Sequence, residues 1–210
     1  MTKEFFDIFN AEMNHIGVEE RKVVHQKGYW HKAFHCWLYQ MENGMLYILF
    51  QKRQQDKDTH PNLLDITAAG HLTAGEHPED GIREVEEELG IQVQLDEMES
   101  VGVIPASYVS DSLIDNEFCY TYFYHFKKPL ETIIPDPVEL AGIYRVPFHQ
   151  LKSLFNGSIN SINIFGYEYK NSKLVSLQTV VERKDFVPHP DNYYKVIFDE
   201  LIKINKVLSS

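Results

Sequence analysis

Cationic residues and long apolar runs are both scarce in this chain of 210 residues. Lys and Arg number 20 against 31 Asp and Glu, so the formal net charge is -11 at pH 7. Nucleic acids and anionic membrane surfaces are bound by clustered Lys and Arg, so this balance argues against both partners. No apolar run approaches the length of a transmembrane helix, and no basic segment followed by an apolar stretch opens the chain. We expect a protein that binds a small molecule together with a cation.

Cysteine and linker sequences are also rare. Cys36 and Cys119 lie in apolar, strand-like runs and are expected to be buried thiols, which favours a cytoplasmic protein over a disulfide-bonded one. Because no Ser/Gly-rich or Pro-rich linker, repeat or low-complexity tract divides the chain, we expect a single domain over residues 1–210. It would comprise an N-terminal strand and connection (1–30), a core (31–150) and a C-terminal extension (151–210).

The segment from Gly70 to Ile91, GHLTAGEHPEDGIREVEEELGI, carries the strongest pattern in the chain. Pro78 at a first turn and Gly90 as a stop predict a short helix over residues 79–89. Apolar residues recur at helical spacing and predict its buried stripe, formed by Ile82, Val85 and Leu89.

Three carboxylates of this helix fall together on the side away from the apolar stripe. Glu84 and Glu88 are one turn apart, and Glu87 lies beside them. Like charges at this spacing destabilise a helix by about 0.2–0.5 kcal/mol per pair. The cluster therefore indicates a hard divalent cation, Mg²⁺ or Mn²⁺, held by oxygen ligands. The alternative is an acidic face that meets only water.

The flanking residues favour the metal site, because the whole pattern resembles the Nudix box. The matching positions are Gly70, Gly75-Glu76, Arg83-Glu84, Glu87-Glu88 and Gly90-Ile91. One departure is that six residues separate Glu76 from Arg83, where the usual pattern has seven. The resemblance implies hydrolysis of a nucleoside diphosphate linked to another group, on an α/β/α sandwich.

The order of predicted elements fits that layering. We expect a mixed α/β fold (an α+β mixed sheet) flanked by helices, with a C-terminal extension. Asn43-Gly44 is a strong hairpin signal between the second and third strands, and a second hairpin is expected around Asn171. The polar segment 11–17 is read as a turn, and 18–26 as a short helix or an irregular connection. The expected strands are 4–10, 33–40, 45–52, 63–69, 92–95, 101–109, 117–126, 142–146 and two within 162–186; the expected later helices are 147–154 and 192–207.

A second resemblance covers roughly Phe5 to Glu117. The runs KVVHQKGYWHKAFHCWLYQ and KRQQDKDTHPNLLDITAAGH are similar to isopentenyl-diphosphate isomerases, which share the Nudix fold, and to the hydrolases grouped beside them. In the isomerases three histidines and two carboxylates hold a metal, and basic residues hold the diphosphate. The resemblance implies a second metal site at His25, His31, His71, Asp115 and Glu117, and diphosphate contacts from Arg53 and Lys57. Histidines that merely pack or cap are the alternative.

The residue at position 69 distinguishes isomerase activity from hydrolase activity. The isomerases that this chain resembles carry a cysteine immediately before the Gly-His pair, and here that residue is Ala69, whose methyl group cannot exchange a proton. The chain also keeps the carboxylate cluster that bacterial isomerases have mostly lost. We therefore favour a metal-dependent hydrolase that cleaves a diphosphate linkage, over an isomerase or a non-catalytic ligand sensor.

These patterns assign roles to the site residues. Glu84, Glu87 and Glu88 would hold Mg²⁺ or Mn²⁺, and Arg83 would orient a glutamate through a bidentate pair. Glu117, or instead a box glutamate, would act as general base. The expected substrate contacts are Arg53, Lys57, Gly70 and His71.

The sequence assigns no role to several aromatic residues or to residues 187–194. Trp30, His60, Phe123 and the tyrosines at 120, 122 and 124 could stack on a substrate or belong to the core. Residues 187–194 could form a lid, a partner contact or a packed loop. The sequence names no particular diphosphate, and a homodimer stays open.

Overall fold

One mixed sheet forms the centre of the protein. The computed structural model describes residues 3–57, 59–110 and 113–208. Within these residues the strands are β1 Phe5–Phe9, β2 His15–Glu20, β3 Trp30–Glu42, β4 Met45–Arg53, β5 Leu64–Asp65, β6 Ala68–His71, β7 Met98–Val109, β8 Ile114–His125, β9 Leu140–Pro147, β10 Ser161–Lys170 and β11 Lys173–Glu182.

Four α-helices accompany the sheet in the described residues: α1 Arg21–Lys27, α2 Arg83–Leu89, α3 Phe148–Phe155 and α4 Asp191–Leu208. Short 3₁₀ helices cover Pro78–Ile82, Leu95–Glu97, Leu130–Thr132 and Arg183–Asp185. None of the helices in the described part of the chain is both long and apolar enough to cross a membrane. This combination of a large sheet and several helices confirms the predicted mixed fold.

Strand β3 is the central strand of the sheet, because it pairs with other strands along both of its edges. Its C-terminal part is antiparallel to β4, from Tyr39 against Ile48 to Glu42 against Met45. Its first ten residues, from Trp30 to Tyr39, are parallel to β8, which itself pairs antiparallel with β7. The strand order through the main path is β11-β10-β9-β4-β3-β1-β2, with β6 and β8 paired to β3 and β5 to β4. The start of β3 therefore lies beside β6 and β8.

Alternation along β3 divides its side chains between two cores. Cys36 and Leu38 pack with Val85 and Leu89 of α2 on one face. Trp37 and Tyr39 belong to the other core, which also contains residues of α3 and α4. A strand covered on both faces has to be apolar throughout, and helices cover both faces as the sequence predicted. Both cysteines are buried and free, also as predicted.

The hairpin predictions are confirmed. Asn43 and Gly44 turn the chain between β3 and β4 with φ of 50° and 75°. Asn171 and Ser172 join β10 to β11 with φ of 49° and 61°. Positive φ at both central residues matches the right-handed twist of the flanking strands, and Asn and Gly adopt it most readily.

Several predicted boundaries are wrong. Residues 92–95 form no strand; the backbone N–H of Gln94 instead bonds Glu97, 2.9 Å away, at the start of a 3₁₀ turn. The predicted turn at 11–17 gives way to β2 at His15, because this polar edge strand pairs with β1. The expected strand 63–69 is broken at residues 66–67 into β5 and β6.

Helical boundaries also differ from the prediction. The helix expected at 79–89 begins as a 3₁₀ helix and becomes α-helical at Arg83, and Gly90 ends it in the left-handed conformation. Val85 and Leu89 are buried as predicted, and Ile82 is half-buried. Strand β8 begins at Ile114, so Glu117 lies inside it; Asp111 and Ser112 of the preceding polar loop are outside the described residues.

Candidate functional site

A polar cavity of about 1170 Å³ opens where α2, β6, β8 and the segment before α4 meet. Nearly all of the residues predicted for the site line it. These are His25, Arg53, Lys57, Gly70, His71, Arg83, Glu84, Glu87, Glu88, Asp115 and Glu117. His31 is fully buried directly behind this lining. Elements distant in sequence thus bring the carboxylate cluster and the histidine cluster to one cavity.

Glu88 is the most buried of the three α2 carboxylates, with 8% of its surface exposed. It accepts hydrogen bonds from the backbone N–H of Ala69 at 3.1 Å and from the side chain of Gln51 at 3.4 Å. Burial, and secondarily the charge of Glu84, raises the pKa of Glu88 well above its ordinary value. A buried carboxylate in this position is stabilised in its ionised form by a cation.

Glu84 reaches the same cavity because Gly70 has no side chain. A β-carbon at position 70 would collide with the carboxylate of Glu84. Burial raises the pKa of Glu84, against the opposing charge of Arg83, and the charge of Glu87 raises it further. Glu87 is exposed at the mouth of the cavity. The three acids face a common space, as their spacing predicted.

Arg83 holds the acidic loop and helix together. Its Nε and Nη2 lie 3.1 and 3.2 Å from the two carboxylate oxygens of Glu76, which is a bidentate pair. It also contacts Glu84 and Glu87 and donates to the backbone carbonyl of His71 at 3.2 Å. The 3₁₀ helix Pro78–Ile82 lies between Glu76 and Arg83 and leads directly into α2.

The histidine cluster forms a second group of metal-ligand atoms. One ligand atom from each of His25, His31, His71 and Asp115 lies within 4.8 Å of all the others. Asp115 Oδ1 is 3.4 Å from Nε2 of both His25 and His31. Within the described residues these three buried atoms have no hydrogen-bond partner. Burying a polar atom without a hydrogen-bond partner costs free energy, and a bound ion would supply the partner that these three atoms lack.

The protonation of this cluster fits a metal site. Burial lowers the pKa of His31 and of His71 to about 4, so both are neutral near pH 7. His31 Nδ1 donates to the carbonyl of Tyr29 at 3.1 Å, which leaves the lone pair on Nε2. Burial opposes ionisation of Asp115, but its contacts with the histidines hold its pKa at about 2. Phe6 of β1 stacks on His31 at 5.1 Å and covers the cluster.

Glu117 connects the histidine cluster to His35, which lies outside that cluster. Its Oε1 lies 3.3 Å from Nε2 of His71, and its Oε2 lies 3.9 Å from Nε2 of His35. Burial, and the charge of Asp115, raises the pKa of Glu117. Cys119 donates its thiol to Glu117 across 3.7 Å.

His35 is oriented by the C-terminal helix. The indole N–H of Trp37 donates to the hydroxyl of Tyr193 at 3.0 Å, and that hydroxyl lies 2.8 Å from His35 Nδ1. Because Trp37 can only donate, the tyrosine proton is free to go to Nδ1. His35 then carries its own proton on Nε2, facing Glu117. Although His35, Glu117 and Cys119 are close enough to share an ion, this tautomer makes His35 a donor rather than a ligand.

Arg53 and Lys57 reach the cavity but already have protein partners. Arg53 donates to the carbonyl and hydroxyl of Thr59 at 3.0 and 3.2 Å and to Asp65 at 3.0 Å. Lys57 forms an ion pair with Glu139. Arg53 has five N–H groups, so two of them stay available to a ligand.

Most of the aromatic candidates belong to the core. Trp30 stacks on Phe118 at 4.6 Å, and Phe123 is fully buried. The three tyrosines of β8 pack against the core that contains α2. His60 differs, because it lines the cavity and makes an edge contact with Tyr108 at 4.7 Å.

The segment before α4 was noted in the sequence as a lid, a partner contact or a packed loop, but its contacts within the site were not predicted. Residues 187–190 line the cavity, and His189 Nε2 lies 2.8 Å from Asp65 Oδ1. Asp65 also accepts from Arg53, and it was not among the predicted residues. A single histidine between two prolines forms no motif, so only the fold could show this contact. Tyr193 was likewise missed. In α4, Tyr194, Ile197 and Leu201 are buried, and Ile204 is half-buried.

Known proteins share both the sequence pattern and the fold. The NUDIX domain family model matches residues 29–164, which is more than half of the chain. An uncharacterised Nudix hydrolase of Clostridium acetobutylicum is 37% identical over 203 residues, which cover 96% of this chain and 98% of that protein. Nudix hydrolase 3 of Arabidopsis thaliana is 32% identical over 162 residues, which cover 74% of this chain but 21% of the plant protein.

A solved structure has the same fold. The crystal structure of DR0079 from Deinococcus radiodurans aligns with a TM-score of 0.52 and 22% identity, covering 73% of this chain and 90% of that one. At this identity the likeness concerns the fold alone. The family match and the full-length bacterial relative agree with the box on α2, and this chain therefore belongs to the Nudix hydrolase family.

Proposed function

We propose that this protein is a metal-dependent hydrolase that cleaves a diphosphate linkage in a nucleoside diphosphate derivative or a related small-molecule diphosphate, by attack of water at phosphorus. The observation that carries the proposal is the group of three carboxylates, Glu84, Glu87 and Glu88, which open onto one cavity. Two of them are at least partly buried, and burial alone disfavours their ionised forms. Such an arrangement is suited to hard divalent cations.

The donor set fits Mg²⁺ or Mn²⁺. Carboxylate oxygens are the ligands that these ions prefer, and Arg83 contacts the carboxylates of Glu84 and Glu87. When bound there, such an ion neutralises charge on the diphosphate and lowers the pKa of a bound water. Glu88 is oriented by Ala69 and Gln51, and Glu84 by Arg83.

The chain itself would supply the remaining steps. Arg83 acts on the glutamates rather than on the substrate, because its donors are used by Glu76, Glu84, Glu87 and the His71 carbonyl. Glu117 is one candidate for the general base, and its raised pKa brings it nearer to the working range of a base. A glutamate of α2 is the other. Arg53 and Lys57 would clamp the phosphates, together with the wall formed by Gly70 and His71.

A second ion would be held by His25, His31, His71 and Asp115, with Glu117 beside them. The unpartnered buried atoms of this group support the assignment. Imidazole nitrogens with one or two carboxylates suit Mn²⁺, Fe²⁺ or Zn²⁺ better than Mg²⁺. The same group supports a relationship to the isopentenyl-diphosphate isomerase-like subgroup.

Isomerisation itself is disfavoured. Ala69 occupies the position of the thiol, and its methyl group exchanges no proton. Cys119 is no substitute, because it is buried outside the cavity lining and burial raises its pKa well above the ordinary value. The intact cluster of acids on α2 also favours a hydrolase over a ligand sensor without turnover.

The test is a screen of diphosphates for Mg²⁺-dependent cleavage. It is measured as the two phosphorylated products of a substituted diphosphate or as free phosphate from a terminal one, with product analysis for isopentenyl diphosphate. We expect hydrolysis of at least one compound and no double-bond isomer. Glu88→Gln should lower kcat by about 100-fold or more, because it removes a charged ligand. The matched control is Glu86→Gln, since Glu86 lies on the same helix but is exposed and outside the cavity. Near-normal turnover of Glu88→Gln would refute the assigned role.

A further inference from the structure

His189 lies outside the residues that match the NUDIX domain, yet it forms part of the cavity wall. It follows Pro188 and precedes Pro190, and its backbone N–H donates to the carbonyl of Val187 at 2.9 Å. Helix α4 begins two residues later and is anchored by the buried Tyr193 and Tyr194. The position of His189 is therefore fixed by the tightly packed start of α4.

The imidazole of His189 is oriented from two directions. Its Nε2 lies 2.8 Å from Oδ1 of Asp65, and its ring stacks on Tyr193 with a centroid separation of 4.9 Å. Asp65 is buried, and its other oxygen accepts from Arg53 at 3.0 Å. Burial opposes ionisation of Asp65, but the contacts with His189 and Arg53 hold its pKa well below the ordinary value. An ionised carboxylate only accepts hydrogen bonds, so His189 Nε2 carries a proton.

The other ring nitrogen is left for a ligand. Nδ1 of His189 makes no hydrogen bond with any residue that the structure describes, and it is not among the buried atoms that lack a partner. It is therefore accessible, and the histidine lines the cavity. Arg53, which shares Asp65 as partner, also lines the cavity and keeps N–H groups available. One buried carboxylate thus holds two side chains, His189 and Arg53, against the same space.

We propose that His189 is a substrate-binding residue of the diphosphate site and that Asp65 is the positioning residue that holds it. His189 would donate from Nδ1, as an imidazolium, to a nonbridging oxygen of the diphosphate, beside Arg53. The inference rests on the proposed function, because it requires a diphosphate in this cavity.

The location of His189 supports this role. Asp65 pairs with Gln51 across β5 and β4, and Gln51 in turn donates to Glu88. On its other side, the ring of His189 is 6.3 Å from that of His35, which faces Glu117. The histidine is thus connected through Asp65 and Gln51 to Glu88 of α2, and it neighbours His35, which faces Glu117 of β8.

The test compares the wild type with His189→Gln and with His149→Gln, an exposed histidine of α3 that serves as control. Affinity for magnesium methylenediphosphonate, a diphosphate that is not hydrolysed, is measured by calorimetry. KM and kcat are measured with the best diphosphate from the screen. Loss of a hydrogen bond to a charged group should raise Kd and KM about tenfold in His189→Gln. The control should stay within about twofold, which is the scatter expected of surface substitutions.

The results separate this inference from the proposed function. Unchanged Kd and KM in His189→Gln overturn the inference, even if kcat falls, while turnover by the wild type still supports hydrolysis. Probe binding that depends on His189 in a protein that hydrolyses nothing supports the contact and refutes the proposed function. If His189→Gln fails to fold, ¹⁵N NMR of the wild type decides. The Nδ1 resonance of His189 should shift when the probe is added, and an unmoved resonance overturns the contact.

Discussion

The carboxylate of Glu84 occupies the space in which Gly70 would carry a β-carbon. The backbone of Gly70 does not need a positive φ, so the strand itself would accept alanine. The obstacle is the end of a flexible side chain, which can move. We expect Gly70→Ala to displace Glu84 from the cavity and to lower kcat by about 10-fold or more, since a misplaced ligand weakens transition-state stabilisation. Thermal unfolding should change little.

Gly142→Ala is the control substitution to compare with Gly70→Ala. Its added β-carbon would meet the backbone carbonyl of Tyr167 in the paired strand, which cannot rotate away. We expect a stability loss of about 1–3 kcal/mol, the usual cost of overpacking, with activity preserved in the folded fraction. Equal effects of the two substitutions on melting temperature would contradict this account of Gly70.

The sequence predicted those parts of the site that depend on local spacing. Glu84, Glu87 and Glu88 share one helix, and helical geometry alone brings them together. The histidine positions came from a resemblance, and the cavity now unites them with the acids. The contact between His189 and Asp65 could not be predicted, because it joins residues 124 positions apart. Asp65 lies in a run that resembles the isomerases, but that resemblance assigned it no role, and His189 belongs to no motif. Such contacts depend on where α4 packs, which no local pattern encodes.

Tyr193 is expected to contribute more to stability than its surface neighbours. Its buried hydroxyl bonds both Trp37 and His35. Tyr193→Phe leaves the indole N–H of Trp37 without a partner, which costs about 1–3 kcal/mol. In a protein of this size we expect a fall in melting temperature of about 2–10 °C. Lys195→Ala, which removes an exposed pair with Asp199, should leave it unchanged. Equal melting temperatures for the two variants would show that the hydroxyl is replaceable.

Metal-free protein should lose stability in mild acid because of His35. Burial, opposed by Glu117, lowers the pKa of His35 from 6.5 to about 4. Between these values the unfolded chain binds a proton that the folded protein does not, so stability is complete above pH 6.5 and falls as the pH approaches 4. The loss from this group is of order 3 kcal/mol.

Urea unfolding in EDTA at pH 7 and pH 4.5 measures this dependence. His35→Asn keeps an acceptor close to the position of Nδ1 for Tyr193 and removes the titrating ring. Its stability should vary less with pH than that of the wild type. The same slope in both proteins would mean that His35 is not the buried neutral group responsible.

Two classes of ion should be separable by mutation, since the α2 carboxylates and the histidine cluster offer different donors. Binding of Mn²⁺ or Zn²⁺ at about 100 times Kd should stabilise the wild type by about 2.7 kcal/mol. His25→Gln removes one nitrogen ligand of the histidine cluster, so this stabilisation should be largely lost. The Mg²⁺ requirement of hydrolysis should persist, because Glu84 and Glu88 are intact. Glu88→Gln should show the opposite pattern, with Zn²⁺ stabilisation retained and turnover lost.

Melting curves with each ion and Mg²⁺ titrations of activity measure both effects. If either substitution abolished both the stabilisation by Zn²⁺ or Mn²⁺ and the Mg²⁺-dependent turnover, the two groups would form one coupled site. Ions that bind independently would be lost separately.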